Sequence, residues 1–148
     1  MGLKYHNILV AIDGSKEAEW AFKKGIEVAK RNQANLILAH VVDTRTFAMV
    51  EAYDRMIAEK ADKLATELLE NYQNLARKAG VEQVSYEIEF GNPKIRLPKD
   101  MAKKHNVDLI ICGATGMNAM ERFFIGSVSE HITRYAKCDV LIVRTEKD

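Results

Sequence analysis

The chain is short of the features that mark most specialised classes of protein. It has two cysteines in 148 residues. Cys112 and Cys138 fit neither a metal-ligand spacing nor a disulfide framework, and both stand beside apolar runs, the setting of buried thiols in a reducing cytosol. No apolar stretch approaches the roughly 18 residues needed to cross a bilayer. The opening MGLKYHNILVAID lacks the apolar core and small-residue cleavage site of a secretion signal. Met1-Gly2 does not lead into a myristoylation pattern, because position 6 is His6. Charge of one sign is also missing: 22 basic and 21 acidic residues are interspersed for a net charge of +1. That balance gives no electrostatic basis for nucleic acid or for an acidic membrane surface. The expectation is a cytoplasmic protein with neither as a partner. Two phosphate-binding motifs are absent as well, Gly-x4-Gly-Lys-[Ser/Thr] and Gly-x-Gly-x-x-Gly. No nucleophile–base–acid set and no carboxylate pair is placed by spacing.

What is present reads as one α/β domain over residues 1–148, a length that buries a real core. Apolar residues are 47% and charged residues 29%, an ordinary balance for a soluble chain. Five runs rich in Ile, Leu and Val predict strands at Asn7–Ile12, Asn35–Val42, Ser85–Glu89, Leu109–Cys112 and Val140–Val143. Several are nearly continuous, as in strands buried on both faces of a parallel sheet. Helical patterns alternate with them, which predicts right-handed crossovers and an open doubly wound sheet with helices on both faces. The first helix is expected to start at Ser15 as N-cap, with Glu17 and Glu19 in its acid-favouring first turn and Ala18, Ala21, Phe22, Ile26 and Ala29 inward. The second carries Tyr53, Ile57, Ala61, Leu64, Leu68, Tyr72, Leu75 and Ala79 at steps of three and four, and Gly80 closes it. The only two prolines, Pro93 and Pro98, stand five apart, so the third helix is either kinked or starts near Leu97.

The most informative segment is ICGATGMNAMERFFIGSVSEHITRYAKCDVLIV, residues 111–143. Gly113, Gly116 and Gly126-Ser127 lie between an apolar run and a helical pattern, where backbone N–H groups can converge on a phosphate. Ser127 would cap the helix and donate its hydroxyl. The competing reading is a plain strand–loop–helix turn. Met117, Met120, Phe123 and Phe124 are unexpectedly apolar for this loop, and Phe47, Ala48, Met49 and Val50 form a second such stretch. Each group either packs on the body or forms a partner surface or flap.

The Gly-x2-Gly-x9-Gly-Ser spacing resembles the nucleotide-binding signature of the universal stress protein family, in its ATP-binding branch. Tyr5–Ser15, His40–Asp43, Gly91–Pro93 and Ala136–Val143 resemble further segments of that family, so the likeness covers nearly the whole chain. The resemblance implies strand order 3-2-1-4-5, which sets Asp13 after strand 1 and Gly113 after strand 4 at one crevice. It implies ATP (or AMP) as ligand, with Gly113, Gly116, Gly126 and Ser127 toward the phosphates and Val128 and Ser129 in the same set. Ala11 and Val41 would line the adenine, and Cys112 would sit beneath the nucleotide or serve only as a small buried hydrophobe. Asp13 would hold ribose hydroxyls or a phosphate-bound Mg²⁺ or Mn²⁺, or else act only in its turn. Arg122, the helix start or the metal would offset phosphate charge. His40 and His131 read as structural histidines. The implied function is a stress-response regulator or sensor, homodimeric through strand 5, with protein partners unnamed and hydrolysis slow or absent. Alternatives are a slow ATPase or nucleotide transferase using the same crevice, and a partner-binding scaffold independent of nucleotide.

Overall fold

The computed structural model describes residues 4–44, 55–114 and 125–145. Five parallel strands, β1 (Asn7–Ala11), β2 (Asn35–Asp43), β3 (Val84–Gly91), β4 (Leu109–Gly113) and β5 (Asp139–Val143), form one sheet. Their order is β3-β2-β1-β4-β5. Every expected strand is present: β2, β4 and β5 are longer by one residue, β3 is longer by three and β1 is shorter by one. β1 is the hub: Ile8 stands opposite Leu36 on one side and Leu109 on the other.

Period-two alternation along β1 splits the core in two. Ile8, Val10 and Ile12 pack with Phe22, Leu36, Leu38 and Leu69 beneath helices α1 (Lys16–Asn32) and α2 (Arg55–Lys78). Leu9, Ile110 and Cys112 pack with Leu97, Met101 and Ile132 on the opposite face, under the helical segments that follow β3 and the final helix α5 (Ser127–Tyr135). Each fully buried Leu or Ile side chain contributes ~1.5–3 kcal/mol relative to leaving it in water.

The helix ends follow local chemistry. Ser15 caps α1, its hydroxyl accepting from Ala18 N–H at 3.1 Å, and Glu17 and Glu19 occupy the first turn. After α2, Gly80 takes φ +107°. Gly80 N–H donates to Arg77 and Val81 N–H to Ala76, both at 3.0 Å, the paired bonds of a Schellman ending. The third helix starts at Pro93, not near Leu97. Asn92 caps it, accepting from Lys94 N–H at 3.1 Å. It runs as α3 (Pro93–Ile95), a π-helical segment (Arg96–Met101) and α4 (Ala102–Lys104). The widened turns contain Pro98, which lacks an N–H and would clash with the carbonyl one turn back in a regular α-helix.

The expected inward face of α2 is rotated. Ile57, Leu64 and Leu75 are exposed, as is Ala79, while Ala65, Leu69 and Ala76 are the buried residues. Leu68 and Tyr72 lie at the margin of the core, where the Tyr72 ring packs tilted against Phe22 with centroids 4.5 Å apart. Tyr53, Phe47–Val50, Met117, Met120, Phe123 and Phe124 lie outside the described residues. Among the described residues no helix is long and apolar enough to cross a membrane.

Candidate functional site

The chain leaves β1 toward β2 on one side and leaves β4 toward β5 on the other. The two departing loops therefore diverge and open a crevice at the carboxyl ends of β1 and β4, the usual ligand position in sheets of this kind. Ala11 ends β1, and Asp13 follows, exposed, its Oδ1 accepting from Ser15 N–H at 2.9 Å. That bond is an Asx turn, so one carboxylate oxygen of Asp13 already serves the start of α1.

His40, near the end of β2, bridges to β1. Its Nδ1–H donates to the Ile12 carbonyl at 2.6 Å, and Ile12 N–H donates to Ala39 at 2.8 Å. The imidazole thus ties two strands together beside the crevice. Val41, one residue on, is half-buried at the edge of the apolar cluster containing Cys112. Cys112 itself is 4% exposed. Burial pushes its thiol up to about 12 despite a hydrogen bond with Ser129, so at neutral pH it is a protonated, apolar-like side chain rather than a nucleophile. His131 packs its ring tilted against Tyr135, centroids 4.4 Å apart, on α5.

Gly113 is required by packing. A Cβ there would stand 2.7 Å from Glu17 Cβ and 3.0 Å from the Glu17 backbone, so only glycine lets the first turn of α1 close on the end of β4. Past it, backbone bonds join Ala114 to Val143 and to Gly126. Ala114 N–H donates to Val143 at 2.9 Å, and the Ala114 carbonyl accepts from Gly126 N–H at 2.7 Å. Ser129, 5% exposed, directs its hydroxyl at the carbonyls of Gly113 (2.7 Å) and Ala114 (3.1 Å). This clip between α5 and β4 is not legible in the motif. Its only sequence signal is a small hydroxyl residue in the first turn after Gly126, and it turns the Ser129 hydroxyl, placed by the resemblance in the binding set, onto the backbone of β4 and Ala114.

The cap of α5 differs from expectation. Gly126 holds the N-cap position with no side-chain cap, and Ser127 is the first helical residue, exposed. Among the described residues no side chain therefore caps the opening turn of α5, and Val128 packs inward on the second core cluster. Gly126 has φ −65° and ψ 159°, a backbone conformation open to any residue. Gly116 and Arg122 lie outside the described residues. The structure thus brings Ala11, Asp13, Val41, Cys112, Gly113, Gly126, Ser127, Val128 and Ser129 to one end of the sheet. Among the described residues, no group of three or more His, Cys, Asp or Glu could hold a metal ion.

Residues 4–144 match the model of the universal stress protein family. A protein of Staphylococcus haemolyticus named as a universal stress protein is 53% identical, the match covering 98% of this chain and 88% of that one. The fold of the hypothetical protein MJ0577 superposes with a TM-score of 0.88 at 28% identity, covering 99% of this chain and all of the other. A UspA of Lactobacillus plantarum gives 0.79 at 30%, covering 97% and 100%. Two more distant folds were solved with ligands: a universal stress protein with cAMP (TM-score 0.72, 23% identity, covering 97% and 99%) and one from Archaeoglobus fulgidus with dAMP (0.67, 22%, covering 95% and 98%). With its family model matched almost end to end and a relative more than half identical, the chain belongs to the universal stress protein family.

Proposed function

We propose that this chain is a one-domain, cytoplasmic, ATP-binding regulator of a stress response, acting as a homodimer with little or no hydrolysis. The observation that carries this reading is the start of α5: an opening turn with no side-chain cap among the described residues, introduced by Gly126 and fixed against β4 at the sheet's crevice. Such a helix start favours phosphate through its N–H groups and dipole. The cAMP- and dAMP-bound relatives support an adenine nucleotide as the ligand class. Ala11 and Val41 provide an apolar wall for the base, and Gly116 and Arg122 complete the proposed phosphate set.

The metal fits only in a limited sense. Asp13 is the carboxylate we assign to the metal, and among the described residues no group of three or more metal-ligating side chains gathers, so Mg²⁺ or Mn²⁺ would be held mainly by phosphate oxygens, the common arrangement for Mg²⁺. Its chemistry would be charge neutralisation. A regulator rather than an enzyme is supported by the protonated Cys112 and by His40, whose Nδ1 is engaged by backbone.

Gly126→Val tests the site. Valine tolerates the Gly126 backbone, so the variant is expected to fold while its isopropyl group fills the phosphate space. Calorimetry should show ATP affinity reduced at least about tenfold. Unchanged affinity in the folded variant would overturn the assignment. Asp13→Asn keeps an oxygen for the Ser15 turn and removes the charge. It should weaken ATP binding more with Mg²⁺ than with EDTA, and equal losses would assign Asp13 to the ribose. Steady turnover near roughly one per second would favour an enzyme instead.

A further inference from the structure

Helix α2 is longer than the part of the molecule that it covers. Its last turn is level with that of α1, because Lys30 lies over Gly80, its Cε 3.4 Å from where a Cβ would stand. Leu68 meets Gly14, just before α1 begins, with 3.9 Å between its Cδ2 and the corresponding Cβ position. The turns of α2 before Leu68 therefore rise past the start of α1. On them Ile57 is 38% exposed and Leu64 57%. With Ala61 and Leu68, both half-buried, they recur at steps of four, three and four, which is one seam along a helix. The core-facing residues Ala65, Leu69 and Ala76 occupy a different stripe.

Lys60 and Glu67 flank this seam on one side, seven residues apart and both exposed. Among the described residues neither has an ion-pair partner in its own chain. A flank of one sign would forbid like-with-like pairing. This one is self-complementary when the helices run antiparallel. Setting Ile57 of one copy opposite Leu68 of the other places Ala61 opposite Leu64 and brings each Lys60 beside the other copy's Glu67. We propose that the seam is a self-association surface, on which two copies pair their α2 helices antiparallel about a two-fold axis near residues 62 and 63. The seam is short, so the pairing is weak, with a Kd of ~10–100 µM. It lies on a helix layer and is separate from the strand edges of the sheet. Dimers formed through another surface would advance to tetramers by it, and monomers would advance to dimers. The added step, and not the starting species, carries the proposal.

Sedimentation velocity from about 5 to about 500 µM reads that step. Wild type should gain one doubling in mass over the range. Leu64→Glu should abolish it. Lys60→Glu and Glu67→Lys should each weaken association about tenfold by setting like charges across the axis. The double reversal Lys60→Glu/Glu67→Lys should restore it, which no change confined to one chain would do. The substituted side chains are exposed, and circular dichroism checks that the variants stay folded. A mass constant with concentration, a step insensitive to Leu64→Glu, or a double reversal as weak as the singles would overturn the pairing. Any of these would give the seam to an unlike partner or to another part of this chain.

Discussion

At the scale of the residue, the positions that matter most are those where one atom more would not fit. Gly113→Ala places a methyl 2.7 Å from Glu17 Cβ, and the α1 backbone beside it is fixed by the Ser15 cap. Overpacking of this kind costs ~1–3 kcal/mol, so the urea midpoint should fall with little change in m-value. An undiminished midpoint would mean that α1 can step back. A second test is electrostatic. Burial alone would raise the Glu87 carboxyl, but hydrogen bonds from Lys104 and His105 outweigh it and hold the group below its ordinary value of 4.5. Glu87 therefore adds stability above that value and loses it as pH falls through the lowered one. Its neighbour Glu89 is shifted the other way, by burial and then by Glu87 itself, with Arg96 at 3.7 Å as a partial offset. Glu87→Gln should cost ~1 kcal/mol at pH 7 and much less below about pH 4, whereas Glu89→Gln should cost little or nothing at pH 7. Urea midpoints at both pH values decide. A Glu87→Gln loss that persists undiminished in acid would assign it to packing instead.

At the scale of the element, the starts of α1 and α3 and the end of α2 follow from residue type, whereas the cap of α5 and the packing faces do not. Ser15 before an acidic turn, Asn92 before Pro93 and Gly80 after α2 are chemical signals, and each sits where its chemistry requires. Ser15→Ala is expected to cost ~1 kcal/mol of stability, because the Ala18 N–H loses its partner in a buried turn. A change below a few tenths would show that the Asp13 turn holds α1 alone. The buried face of α2 was harder to read. Its longest apolar side chains form a stripe through Ile57, Leu64 and Leu75, yet the sheet takes Ala65, Leu69 and Ala76. The strands beneath already supply Leu36, Leu38 and Val84, so a helix packed closely on them takes two alanines and Leu69 at contact and leaves Ile57, Leu64 and Leu75 outside. Hydrophobic size thus misleads where the opposing surface is full. The strands were legible because Ile, Leu and Val run unbroken in them. Their order was not, since local pattern is silent on which strand neighbours which, and it came from family resemblance. The same division holds in the crevice. Glycines and Asp13 stand out in sequence, while the Ser129 clip, the His40 bridge and the packing demand on Gly113 exist only once β1, β2 and β4 lie side by side.

At the scale of the whole molecule, the two edges of the sheet are built differently. β3 carries Tyr86, Glu87 and Glu89, the carboxylates held in place by Lys104, His105 and Arg96. Fixed charge on an edge strand opposes pairing with another strand. β5 carries Val140, Leu141, Ile142 and Val143, with Asp139 only at its start, where Tyr5 O–H donates to it at 2.7 Å. Its inner side is paired to β4 from Leu109–Asp139 to Gly113–Val143, which leaves the outer row of N–H and C=O groups facing away. An apolar edge whose charged residue, Asp139, stands only at its start invites a second strand, and antiparallel pairing with the β5 of another copy about a two-fold satisfies both rows at once. The expected species at micromolar concentration is therefore a dimer, joined through β5 and not β3. Leu141→Pro removes one N–H and sets a ring in the strand's centre, so sedimentation should report a monomer at low concentration. Because proline could also loosen β4, Leu141→Lys gives an independent reading: it keeps the backbone donor and adds like charge across the two-fold. A folded, dimeric Leu141→Lys variant would move the interface away from β5, and a monomeric wild type would remove it.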